Sequence, residues 1–155
     1  MPRAYENRTR FPQLQPDFWV CRLEFRPGPR GLASLPRKSL DDLPAPVRAR
    51  LGPVDEDGFR QDGPPAGEMF YGALPGDVSP SGWPLTFSCN TPVRPNAGFS
   101  WCFNDRTAIE GLAVKYVWIG PKVPKSDWRR MDRRVQALVE WLATPPDRRP
   151  PILEH

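Results

Sequence analysis

The sequence predicts an α+β fold: a mostly antiparallel sheet of four to five strands, with a long C-terminal helix and a shorter helix packed on one face. Three observations lead there. Period-two alternation at 18–25, 85–104 and 111–120 marks strands. Apolar residues recurring three and four apart after residue 126 mark a helix. The 22 prolines among 155 residues fit neither helix interiors nor central strands, so long stiff loops must separate a few short elements. The length suits a single domain, assigned to 1–150, that buries roughly two-thirds of the surface of its unfolded chain. Six Trp and eight Phe supply a packed core.

In "FWVCRLEF", residues 18–25, Trp19, Cys21, Leu23 and Phe25 share one face and Arg22 and Glu24 the other, which makes Cys21 a small core residue. After "PGPRG", Leu40, Leu43, Val47 and Leu51 are spaced for a short helix with Ser39 as cap, Gly52 as stop and candidate breaks at Pro44 and Pro46. Segment 52–84 reads as one long Gly/Pro-rich acidic loop in which only "EMFYG" has strand character. Its Asp55, Glu56, Asp57, Asp62, Glu68 and Asp77 face the single Arg60, while both flanking regions are basic. Two readings follow: the loop folds back onto the protein's own arginines, or it presents a partner surface.

Residues 85–105, "LTFSCNTPVRPNAGFSWCFND", read as a hairpin. Pairing Phe87 with Phe103 and Cys89 with Trp101 collects every large apolar group on one face, and puts Cys102 on the polar one. This register predicts free thiols, with a Cys89–Cys102 disulfide as the second reading and metal or redox chemistry as the third. "GLAVKYVWIG", 111–120, is an interior strand with Leu112, Val114, Tyr116 and Trp118 on one face. In "SDWRRMDRRVQALVEWLATPP" Ser126 is the expected N-cap, and Trp128, Met131, Val135, Leu138 and Leu142 form the stripe of a helix of four to five turns that Pro145 ends.

Much chemistry is excluded. His155, the only histidine, lies in the tail 151–155, whose "LEH" resembles the start of a vector-encoded tag, so no imidazole base, triad or His-ligated zinc is expected. Three cysteines without a Cys-x-x-Cys pair give no zinc set, and reduced thiols with no membrane span or signal segment point to the cytoplasm. Neither cofactor nor metal is expected; "DEDG" at 55–58 lacks the later glutamate of a calcium loop.

The net charge of +4 permits an acidic partner without requiring one. On the long helix Arg129, Arg130, Arg133 and Arg134 could hold phosphates or a partner's carboxylates, although a solvated helix face is the simpler reading. "FNDR" places Asp105 beside Arg106, a carboxylate and a guanidinium for which a turn is the simpler reading.

The order "FSC", "WC", "GLAVKYVWIG" and the Trp-led "DWRRMDRRVQALVEWL" resembles the C-terminal portion of immunity proteins encoded beside bacterial toxins, including those delivered by type VI secretion. The resemblance covers residues 85–144. It implies a non-enzymatic protein that binds and neutralises a cognate toxin. Many such proteins carry a secretion signal or lipid anchor, and without either the toxin would act in the cytoplasm, a nuclease being the first candidate. The partner-binding residues would be Asp55, Glu56, Asp57, Arg60, Asp62 and Trp83. The alternatives are a nucleic-acid-binding module built on the four helix arginines, and an enzyme using Asp105 with Arg106.

Overall fold

The computed structural model describes residues 20–32, 35–62, 68–90 and 100–151. Among them the sheet has six strands, all antiparallel: β1 (Val20–Pro27), β2 (Phe59–Asp62), β3 (Glu68–Gly72), β4 (Thr86–Cys89), β5 (Trp101–Ile109) and β6 (Leu112–Ile119), in the order β1-β6-β5-β4-β3-β2. The α+β class stands. The strand count exceeds the expected four to five because segment 52–84 is not one loop: it holds β2 as well as the anticipated "EMFYG" strand.

β6 buries Val114, Tyr116 and Trp118 between β1 and β5, as its alternation predicts. The two-residue turn to β6 needs φ = +78° at Gly111, a conformation open to glycine at little cost. In β1, a bulge between Val20 and Arg22 brings both Val20 and Leu23 into the core. Phe25 shares the face of Leu23 by register yet stays 43% exposed, because β1 is an edge strand. Trp19 and the side chain of Cys21 lie outside the described residues, as does Phe99 of the expected hairpin.

Helix α1 spans Ala45–Arg50 and α2 spans Trp128–Ala143. Pro44 does cut the first helical run: Ser39 caps only a 3-10 turn, Leu40–Asp42, and α1 starts beyond the proline. Interrupted in this way, α1 buries no residue and does not join the second layer as a packed helix. Its tie to the sheet is ionic, Arg50 donating to both carboxylate oxygens of Asp62 at 2.9 and 3.0 Å.

α2 is the single long helix among the described residues. It is entered through a 3-10 turn at Lys125–Asp127, so Ser126 lies within that turn and is not its N-cap. Trp128, Met131, Val135, Leu138 and Val139 are buried against the sheet. Each contributes about 1.5–3 kcal/mol of apolar transfer. Trp128 sits in an aromatic cluster with Phe59, Phe70, Phe87 and Trp118 at centroid distances of 5.1–5.8 Å, and its indole N–H donates to the carbonyl of Val123.

The register of the central hairpin differs from the expected one. Ser88 pairs with Phe103 and Cys89 with Cys102, and the two cysteines form a disulfide. Every β5 side chain is thereby turned over: Cys102, Asn104, Arg106 and Ala108 face the core while Trp101 is 40% exposed. The expectation of free thiols is overturned. The physical reason lies on α2. A purely apolar β5 face would leave Asp132 and Gln136 unmatched, whereas the polar face gives both a partner.

Candidate binding site

The β4–β5 ladder is short because Asn104 ends it. Its side-chain amide donates to the carbonyl of Thr86 at 2.6 Å, standing where the next ladder contact would form. Below this point β5 continues to Ile109 while the chain before β4 bends away through a loop bridged between Val78 and Pro84. The sheet is forked there.

Arg106 fills the fork. Its Nε donates to Asp132 Oδ1 at 3.0 Å and its Nη1 to Gln136 Oε1 at 2.7 Å; the same Asp132 oxygen accepts from the Tyr116 hydroxyl at 2.5 Å. Gln136 passes its own amide hydrogens to the carbonyl of Ala108 and to Glu140. Burial, reinforced by the charge of Asp132, holds the Tyr116 hydroxyl well above the ordinary value of 10 and keeps it neutral as a donor. Among the described residues three buried side-chain atoms have no hydrogen-bond partner: Asn104 Oδ1, Arg106 Nη2 and Trp118 Nε1. The first two belong to neighbouring same-face positions of β5 at the fork.

A groove of about 660 Å³ opens at the fork, lined among others by Arg26, Leu43, Tyr71, Trp83, Asn104 and Arg106. Asp105, also on its wall, forms an ion pair with Arg26 two strands away. Two apolar residues of the groove's lining, Leu35 and Trp83, are 46% and 49% exposed. Asp105 and Arg106 therefore sit within a strand, not in a turn, and point to opposite faces. They do not form a joint acid–cation pair, each being engaged elsewhere.

The acidic residues of 52–84 are largely drawn inward. Asp55 meets Lys125 at 2.6 Å and accepts backbone N–H groups from Asp57 and Phe59, making "DEDG" a turn. Burial alone would raise the Asp55 carboxyl, but Lys125 and these N–H donors together hold it below the ordinary 3.8. Asp62 is held by Arg50 and Asp77 by Arg129. Arg60 turns back onto the carbonyls of Gly52 and Leu51. Of the six residues expected to contact a partner, Glu56 and Trp83 remain exposed.

The four helix arginines do not act as a set. Arg129 is pinned by Asp77, by the carbonyls of Asp57 and Gly58 and by the ring of Phe59, 4.0 Å away. Arg130 pairs with Asp127 at 3.0 Å, Arg134 is half-buried, and Arg133 is exposed. Sequence reasoning missed the Arg106–Asp132–Gln136 network; the signal available was Asp132 and Gln136 four apart on α2, one flank of its apolar stripe.

Among the described residues no group of three or more His, Cys, Asp or Glu is placed to hold a metal ion, and no helix is long and apolar enough to cross a membrane. Comparison with protein-family models, with curated proteins and with solved structures found no match.

Proposed function

We propose that this chain is a non-catalytic protein-binding domain and, on the resemblance of residues 85–144, an immunity protein that binds and neutralises an antibacterial toxin. The observation that carries the reading is the division of labour at the fork. Charged groups suited to catalysis are consumed in internal pairs, while Leu35 and Trp83 stay exposed at the mouth of a preformed groove. A half-exposed Trp beside a groove is the residue type on which binding energy concentrates. Lys38 lies 5.9 Å over its ring and steadies it. Anchoring through Trp83 and Glu56 replaces anchoring through the whole acidic set.

The Cys89–Cys102 bond also bears on the setting. The cytoplasmic expectation leaned on reduced thiols, and disulfides persist in oxidising compartments. The bond favours a toxin acting outside the cytoplasm over a nuclease. The nucleic-acid alternative is weaker, because Arg129 and Arg130 already hold acidic partners.

The test is capture of the toxin-like product of a neighbouring reading frame by the purified protein. Tight capture, weakened about ten-fold or more by Trp83→Ala, is the expected outcome. A toxin that neither binds nor is neutralised removes the immunity reading.

A further inference from the structure

On the helix side of the fork lies a second opening of about 490 Å³, with Arg106 on its floor, Ser79 and Gln136 in its walls, and Arg37 and Arg133 among the residues around it. Arg106 is only 7% exposed. A guanidinium carries five N–H donors. Nε and Nη1 are occupied by Asp132, Gln136 and the carbonyl of Thr107, but Nη2 is buried with no hydrogen-bond partner. Leaving a buried charged donor unsatisfied is costly, which makes the unpartnered group informative. Arg37 and Arg133 are exposed and form no ion pair among the described residues.

The charges select the ligand. Arg37, Arg106 and Arg133 stand against Asp132 and Glu140, leaving a single net positive charge on the lining. A carboxylate neutralises it and matches the planar fork of a guanidinium. A nucleic-acid strand brings a row of phosphates and needs a track of free cations, which the engaged Arg129 and Arg130 do not supply.

We propose that this crevice binds a carboxylate, carried by an Asp or Glu side chain on the surface of a protein partner. The inference rests on the protein-binding reading above and names the chemistry by which the partner is recognised. The exposed arginines Arg37 and Arg133 receive the carboxylate oxygens, the buried Arg106 guanidinium beneath them adds its charge, and Trp83 anchors the partner across the fork.

The experiment is an NMR titration of the isotope-labelled protein with acetyl-Gly-Glu-Gly-Glu-Gly-amide, its glutamine counterpart, and an eight-nucleotide oligothymidylate. The glutamate peptide is expected to shift the Arg106 side-chain and Arg133 backbone signals, and the glutamine peptide to leave them in place. Arg37 and Arg133 are surface residues, so the double variant Arg37→Ala/Arg133→Ala keeps the fold and weakens glutamate-peptide binding about ten-fold. Equal shifts from both peptides, undiminished binding by the double variant, or tighter crevice binding by oligothymidylate would overturn the proposal. Toxin capture by the same variant separates the two claims. Undiminished capture removes the crevice and leaves the binding reading standing; crevice-specific peptide binding without toxin capture does the reverse.

Discussion

β5 and β6 lie side by side, alternate equally well, and obey opposite rules. β6 buries its apolar set, Val114, Tyr116 and Trp118, and turns Lys115 outward. β5 buries Cys102, Asn104 and Arg106 and leaves Trp101 and Phe103 on the other face, where Lys115 sits 4.8 Å from the Phe103 ring. Alternation establishes that a strand has two faces. Which face is buried depends on what the covering layer offers. Over Trp118 that layer presents Trp128 at 5.5 Å; over Arg106 it presents Asp132 and Gln136.

The contrast predicts a ranked set of effects, each measurable as a shift in chemical-denaturation midpoint. Trp118→Ala removes a fully buried indole from the aromatic cluster and should cost about 3–5 kcal/mol. Phe103→Ala, the same kind of truncation one strand over, should cost only about 1 kcal/mol. Equal losses would erase the distinction between the strands. Arg106→Ala leaves the half-buried Asp132 carboxylate beside the Tyr116 hydroxyl without its counter-charge, and is expected to cost about 3 kcal/mol. Arg106→Ala combined with Asp132→Ala should be less damaging than the single change, since no orphaned charge remains; a strictly additive result would show that the pair is not coupled.

Replacing Cys89 and Cys102 together by Ala opens a cross-link with a sequence separation of 13 and should cost about 3 kcal/mol. With the cysteines on opposite faces the same double change would cost far less.

The smallest effect lies on the acid side. Asp55 has a carboxyl held below the ordinary 3.8, so its contribution is present above that value and is lost as pH falls through the lower folded value. Asp55→Asn should flatten the acid limb of stability below about pH 4. An unchanged limb would show that Lys125 does not hold this carboxylate in solution.

Much of the fold is legible in the chain because its signals are local. Trp128, Met131, Val135 and Leu138 recur at helical spacing, Val114, Tyr116 and Trp118 at strand spacing, and Pro44 and Pro145 mark helix limits. The site is legible only in part. Trp83 is identifiable as an aromatic in a Gly/Pro-rich loop, but the groove beside it depends on Asn104 ending a ladder, a choice between two registers that differ by one residue. Apolar matching across β4 and β5 favours one register; the cross-link and the polar residues of α2 favour the other. Both belong to long-range pairing, Arg106 with Asp132 being 26 positions apart, and no window along the chain contains it. The acidic segment follows the same logic. Its composition is visible, but its inward pairing requires Arg129, 52 residues from Asp77.

The register of β4 on β5 decides which face of β5 is buried, and with it the fork, and cross-strand Hα–Hα nuclear Overhauser effects read it without substitution. The structure places the Cα atoms of Cys89 and Cys102 4.0 Å apart, so a strong effect between these two residues is predicted. A strong effect between Cys89 and Trp101 in its place would restore the apolar register, return Arg106 to the outer face, and contradict the fork.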